Sequence, residues 1–182
     1  MKFILFYLPS VGTVSQTHKG MAGQNSQNYQ NMLWQLSEQI KFADKAGFWG
    51  AAFTEHHFHI EGIEQSNNPV LLGLYFGMQT TRIRLGQMAN VIPFHNPLRL
   101  AEDIAMLDQM LQGRTFFGIA RGYQKRCADV LGQTYGVGGT MSDKSEVDAK
   151  NRRLFLEHYE IIKKAWTTDT FSHKSEHWTI PP

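Results

Sequence analysis

The chain has 182 residues and 42% hydrophobic content, enough for one domain with a buried core. Its 18 Lys and Arg against 16 Asp and Glu leave a net charge of +2 with no basic stripe, which argues against a nucleic-acid partner. The single Cys127 excludes an internal disulfide framework and fits a reducing, cytoplasmic compartment.

In chain order, residues 2–8 form a short apolar run that stops at Pro9. It is too short for a membrane span or a secretory segment with its flanks, so it predicts a first strand and no membrane association. The polar stretch 10–28, rich in Gly, Gln, Ser and Asn, predicts a long loop at the carboxyl end of that strand. From Tyr29 onward, Met32, Leu33, Leu36, Ile40 and Ala43 fall at helical spacing, and Gly47 supplies the stop. Residues 48–53 predict a buried second strand. Asn68-Pro69 caps a second helix, with Val70, Leu71, Leu74 and Met78 expected inward. A third strand over 82–91 leads to Asn96-Pro97, which opens a helix carrying Glu102 and Asp103 in its first turns and ending at Gln112-Gly113. A fourth strand follows over 115–120. Beyond it lie a glycine-rich loop with Gly136, Gly138 and Gly139, a helix near 145–166 with Phe155, Tyr159, Ile162 and Trp166 on one face, and a short hairpin within 171–180.

Strand and helix alternate four times, which implies a parallel sheet with right-handed crossovers. A dinucleotide-binding fold would need G-x-G-x-x-G after the first strand, and residues 9–20 lack that spacing. A (β/α)8 barrel of the TIM type is therefore expected. Eight such units take about 250 residues, so residues 1–182 are expected to hold only about the first four units, the amino-terminal half of a single barrel domain. In such folds chemistry gathers at the carboxyl ends of the strands. The second strand ends there in Glu55-His56-His57-Phe58, an acceptor beside two groups that titrate near neutrality. Asn90 is a polar side chain within an otherwise apolar strand and needs a partner, for which a ring edge of a cofactor is one candidate. Gly122 next to Arg121 allows close approach of a ligand.

Several ordered blocks carry a resemblance: residues 49–58, then Ile83-Arg-Leu-Gly with Val91-Ile-Pro, the run His95-Asn-Pro-Leu-Arg-Leu-Ala-Glu-Asp to Asp108, and Gly118-Ile-Ala-Arg-Gly-Tyr123. Together they resemble the bacterial luciferase-like, flavin-dependent monooxygenases over nearly the whole chain, matching the amino-terminal half of those barrels. The resemblance implies an oxidoreductase that uses reduced FMN, supplied by a flavin reductase, and oxygen on a small apolar organic substrate, in a homo-oligomer when full length. It places His56 as the proton-transfer group, with Glu55 and His57 flanking it and His57 and Phe58 at the substrate pocket. Met88-Ala89 matches a non-prolyl cis peptide under the flavin ring, with Asn90 beside it. Arg121 matches an arginine on the flavin phosphate, with Tyr123 next to it. Ala120 stands where luciferases have a reactive cysteine, and Cys127 where many relatives have an acidic residue.

Read without that resemblance, the residues leave alternatives open. A rim histidine such as His56 is often only hydrogen-bonded to a loop, Arg121 equally suits a surface ion pair, and Phe116, Phe117 and Met88 suit a core. Lys125-Arg126 reads as a solvated loop. A deazaflavin-dependent oxidoreductase shares the same expected fold. His57-Phe58-His59 is an H-x-H pair of the kind that holds zinc in metal-dependent hydrolases, although the other ligands are missing and no metal is expected. A non-catalytic, truncated product is the remaining reading, since a half-barrel leaves apolar side chains such as Phe53, Met88, Val91 and Phe117 facing water.

Overall fold

The computed structural model describes residues 1–182, which gather into two units: residues 1–90 with 106–119, and residues 91–105 with 120–182. A four-stranded sheet, β1 (Ile4–Tyr7), β2 (Gly50–Phe53), β3 (Arg84–Val91) and β4 (Thr115–Ala120), runs in the order β1-β2-β3-β4. β1 pairs with β2 in parallel, Ile4 opposite Gly50 and Tyr7 opposite Phe53, and β2 pairs with β3 in parallel, Gly50 opposite Arg84.

Three helices of the first unit follow from local chemistry. The stretch 10–28, expected as loop, contains α1 (Val14–His18), because the Thr13 side chain and Gln16 form a capping box across its first turn. α2 (Ser26–Ala46) starts at Asn25, whose side chain accepts from Asn28 N at 2.9 Å, and ends at Gly47 with φ 84°. Its buried Met32, Leu36, Ile40 and Ala43 meet the sheet core of Ala51, Phe53, Ile83 and Leu85. α3 (Pro69–Gly77) is capped by Asn68, which accepts from Leu71 N at 2.9 Å. Its inward face differs in part from the expected one: Val70 and Leu74 pack against the core as expected, but Leu72 and Phe76 are the buried residues, whereas Leu71 and Met78 are exposed. The stack of Phe76 on Phe53, at 5.2 Å between ring centres, sets that rotation.

Phe53 is therefore no solvent-facing residue. Together with Leu5 and Tyr7 it packs toward the helices, and Val91 is buried as well. The opposite face of the sheet exposes Ile4, Phe6 and Met88, while Phe117 is half-buried. On that face the small residue at Gly50 makes room for an aromatic ring, since a Cβ there would lie 2.9 Å from Phe116 Cε1.

The second unit holds the start of α4 (Pro97–Met110), then α5 (Lys125–Leu131), α6 (Glu146–Thr167) and the antiparallel pair β5 (His173–Lys174) and β6 (Thr179–Ile180). Asn96 Oδ1 accepts from Leu98 N and Arg99 N at 3.0 and 3.2 Å, as its place before Pro97 predicts. Glu102 and Asp103 lie past the first turn, which contains no acidic residue. Lys125 and Arg126 open α5 instead of a loop. The buried face of α6 includes Leu154, His158, Ile161 and Ile162; of the expected Phe155, Tyr159, Ile162 and Trp166 only Ile162 is buried, Phe155 being half-buried and the other two exposed. His158 causes the shift. It is wholly buried, its Nδ1 donates to Ile92 O at 2.9 Å, and its Nε2 accepts from Trp178 Nε1 at 3.0 Å, which ties the hairpin to the helix.

Candidate functional site

The apolar strand β2 delivers the chain to Thr54 and Glu55, both buried, and then to the histidines. Thr54 O accepts from Ser66 Oγ and His56 N donates to Ser66 O at 3.0 Å, so the returning loop 59–66 is stitched to the strand end. Glu64 in that loop has φ 49° and reaches His56, Oε2 to Nδ1 at 3.3 Å. Thr54 Oγ1 lies 3.3 Å from the same nitrogen. The Glu64 Oε2 also faces His59 Nε2 at 3.4 Å, and Glu61 Oε1 lies 3.8 Å from His59 Nδ1. His57 turns away to the fully buried Glu55 carboxylate, Nε2 to Oε1 at 3.0 Å. The two rings of the H-x-H pair thus face different carboxylates instead of converging.

A cleft of about 280 Å³ opens beside this cluster, lined by His56, Phe58, His59, Glu64 and Tyr29 among others. Burial pushes the His56 pKa below its ordinary value, against the attraction of Glu64 and with the help of His59 and His57. The shift favours the neutral imidazole. An ionised carboxylate only accepts, so the contact with Glu64 favours the tautomer that carries the hydrogen on Nδ1 and the lone pair on Nε2. The cluster can take up a proton at Nε2 and hold the resulting charge against Glu64.

On β3 the peptide bond Met88-Ala89 is cis. Met88 is exposed, whereas Asn90 is 1% exposed and neither its Oδ1 nor its Nδ2 has a hydrogen-bond partner within the protein. Gln87 repeats the pattern on the helix side: it is buried and its amide is equally unpaired. Buried amides are nearly always bonded, so two in one strand mark it as unusual. The Asn90 amide, with one donor and one acceptor side, fits the alternating carbonyl and N–H edge of a flavin.

In the second unit, Arg121 leaves the end of β4. Its Nη1 donates to Asp148 Oδ1 at 2.6 Å and its Nη2 to Ser142 Oγ. Asp148 is buried at the start of α6, where Lys144 N donates to it at 3.3 Å, and the Arg121 guanidinium lowers the pKa of its carboxyl. Asn151 Nδ2 donates to Arg121 O at 3.1 Å and braces the backbone. A cavity of about 340 Å³ is lined by Arg121, Gly122, Tyr123, Thr140, Met141 and Ser142. Guanidinium and two hydroxyls on one cavity are the donor set of an oxyanion site, and they fit a phosphate. Tyr123 is exposed at its rim. Cys127, by contrast, is buried in α5, with Sγ 3.7 Å from Gln124 Oε1.

Sequence reasoning singled out Glu55, His56, His57, Asn90 and Arg121, and named His59 only as half of an H-x-H pair, but did not single out Glu64, Ser142 or Asp148. The signal for Glu64 was present, since His59, Glu61 and Glu64 follow Glu55-His56-His57 within ten residues. Ser142 and Asp148 carry no local signal, because their partner lies more than twenty residues upstream.

Comparison with known proteins bears on the family and the fold. A family model described as luciferase-like monooxygenase matches residues 1–182. The chain is 29% identical over 150 residues to a 3,6-diketocamphane 1,6-monooxygenase of Pseudomonas putida, covering 82% of this chain and 39% of that protein. To an alkanal monooxygenase beta chain of Photorhabdus luminescens it is 26% identical, covering 100% of this chain and 48% of the other. Among solved structures, monooxygenase RslO1 from Streptomyces bottropensis superposes with a TM-score of 0.78 at 25% identity, over 100% of this chain and 48% of that one. The four-stranded parallel sheet is thus a section of a (β/α)8 barrel, and the chain spans half or less of the length of these relatives.

Proposed function

Because the chain belongs to the luciferase-like monooxygenase family, we propose that it works as a flavin-dependent monooxygenase, with reduced FMN and oxygen acting on a small apolar organic substrate. The observation that carries this reading is Asn90, a buried amide without a partner in the protein, next to the exposed Met88. Reduced flavin, when bound, supplies the electrons that activate oxygen. The residues do the rest. Asn90 would hold the polar ring edge and Met88-Ala89 would support the ring. Arg121, with the Ser142 and Thr140 hydroxyls and with Tyr123 at the rim, would hold the phosphate, which requires the guanidinium to share its donors between Asp148 and the ligand. His56 Nε2 would take or give the proton that accompanies oxygen transfer, while Glu55 orients His57. Phe58, which lines the cleft, would face the substrate and keep water away, with His57 flanking it from its place on the Glu55 carboxylate. Reduced FMN would come from a separate flavin reductase.

Fluorescence titration of the chain with FMN tests the reading. Binding is expected to be weak, with Kd above about 1 µM, since one arginine and two hydroxyls make a minimal phosphate clamp. It should weaken further, about tenfold each, in Asn90→Leu and Arg121→Ala, as the loss of roughly 1.4 kcal/mol per site implies. A preference for a deazaflavin over FMN would move the chain to hydride transfer on the same fold. Quenching that neither substitution alters would overturn the placement.

A further inference from the structure

The cleft of the first unit contains one carboxylate that faces two imidazoles, and nothing in the proposed function uses it. Glu64 Oε2 lies 3.3 Å from His56 Nδ1 and 3.4 Å from His59 Nε2. Its backbone sits at φ 49°, in the left-handed region that glutamate rarely adopts. That conformation is braced from both sides. Gln65 N donates to Pro9 O at 2.6 Å, Ser66 N to Glu64 O at 2.8 Å, and His56 N to Ser66 O at 3.0 Å. Gln65 Nε2 donates to His59 O, closing the loop on itself. All of these bonds fix where the Glu64 carboxylate stands relative to the end of β2.

We propose that Glu64 is a positioning residue for His56: it holds the Nδ1 proton, so that Nε2 keeps its lone pair toward the cleft, and it shares its charge with His59. This deepens the proposed function and rests on its assignment of proton transfer to His56. When Nε2 takes a proton, no bond to Nδ1 breaks. The imidazolium that forms simply faces a carboxylate already in place, as a second-residue orienter does in other proton-transfer sites. His59 acts in the opposite sense. It draws on the same oxygen and, when charged, repels a charged His56. The titratable groups around His56 are Glu64, His59, His57 and Glu55, and Glu55 is engaged by His57.

The two neighbours therefore pull the His56 titration in opposite directions, which a merely structural loop would not do. Selective ¹⁵N-histidine labelling of the chain, with long-range ¹⁵N–¹H correlation across a pH series, reads both midpoint and tautomer. Wild type should show Nδ1 protonated and Nε2 bare. Glu64→Gln keeps an acceptor oxygen but loses the charge, so it should lower the His56 midpoint and leave the tautomer unchanged. Glu64→Leu should lower the midpoint and mix the two tautomers. His59→Gln should raise the midpoint. Circular dichroism and Tm on each variant separate loss of fold from loss of positioning. An Nε2-protonated wild type, or shifts of the same sign in Glu64→Gln and His59→Gln, would overturn the proposal. Turnover separates it from the reading beneath: if His56→Ala turns over normally while the opposite shifts persist, the function fails and the positioning stands.

Discussion

At the amino ends of the strands, polar groups are satisfied several times over. Asp44, near the end of α2, accepts from Thr81 N, Arg82 N and Ile83 N at 2.9, 3.0 and 2.7 Å, and so ties the helix to the start of β3. Arg114 donates to Ile83 O and Gly77 O at 3.0 and 3.1 Å, and Thr115 Oγ1 donates to Asp108. At the carboxyl ends of the same strands the accounting differs. Asn90 has an unbonded amide, one Glu64 oxygen is shared between His56 and His59, and the Glu64 backbone sits in an unfavoured conformation. The contrast matches the division of labour known for barrel enzymes, stability at one face and chemistry at the other. It also makes opposite forecasts for substitutions at the two ends.

The largest effect should come from the amino end. Asp44→Ala leaves three backbone N–H groups without their acceptor, and should cost about 3 kcal/mol or more of unfolding free energy, measured by urea denaturation. A loss under about 1 kcal/mol would mean that water replaces the carboxylate, and the contrast would weaken. A pH series adds a signature. Burial alone would raise the Asp44 pKa, but the hydrogen bonds from Thr81, Ile83 and Arg82 outweigh it and hold the carboxyl below its ordinary 3.8. A depressed carboxyl contributes stability above that ordinary value and loses it as pH falls through the folded one. Wild type should therefore lose stability below about pH 4 more steeply than Asp44→Asn.

At the carboxyl end the same kind of change should spare the fold and remove function. His56→Ala should lower oxygenation turnover about a hundredfold, the scale of general acid-base catalysis, in a preparation that turns over with reduced FMN and oxygen. Its Tm and its flavin affinity should stay near wild type. Equal losses of binding and turnover would make His56 a structural residue and erase the distinction between the two ends.

Local chemistry was legible in the sequence wherever it was self-contained. The strand Thr115–Ala120, the αL stop at Gly47, the capping asparagines Asn68 and Asn96 and the terminal hairpin follow from period, cap and breaker residues. The cis bond at Met88-Ala89 came only from resemblance, since nothing in local propensity signals it. What failed depended on partners far along the chain. The inward faces of α3 and α6 are set by Phe53 and by Ile92 and Trp178, which no window over one helix contains. The Arg121 to Asp148 pair is invisible for the same reason, and Glu64 was missed because its side chain meets His56 only after the loop has folded back.

The smallest effect is the sharpest test, because it compares two amides in one strand. Gln87 lies on the helix side, its Nε2 being 3.9 Å from where a Cβ on Gly73 would stand, and Asn90 lies three residues on toward the carboxyl end. Both are about 1% exposed and unbonded within the protein. Exchange for an apolar side chain of similar shape removes the cost of burying an unpaired amide, so Gln87→Met and Asn90→Leu should each raise the unfolding free energy by about 1 kcal/mol. Overpacking sets the limit on that gain, since Leu adds no branch that Asn lacks but fills more volume. The two should part company on flavin: Gln87→Met should titrate FMN like wild type, and Asn90→Leu should bind it about tenfold more weakly. A stabilised Asn90→Leu that loses flavin affinity is the behaviour of a residue kept for function at the expense of stability. A destabilised one would mean that water already satisfies this amide inside the strand, and the unpaired group would then say nothing about a ligand.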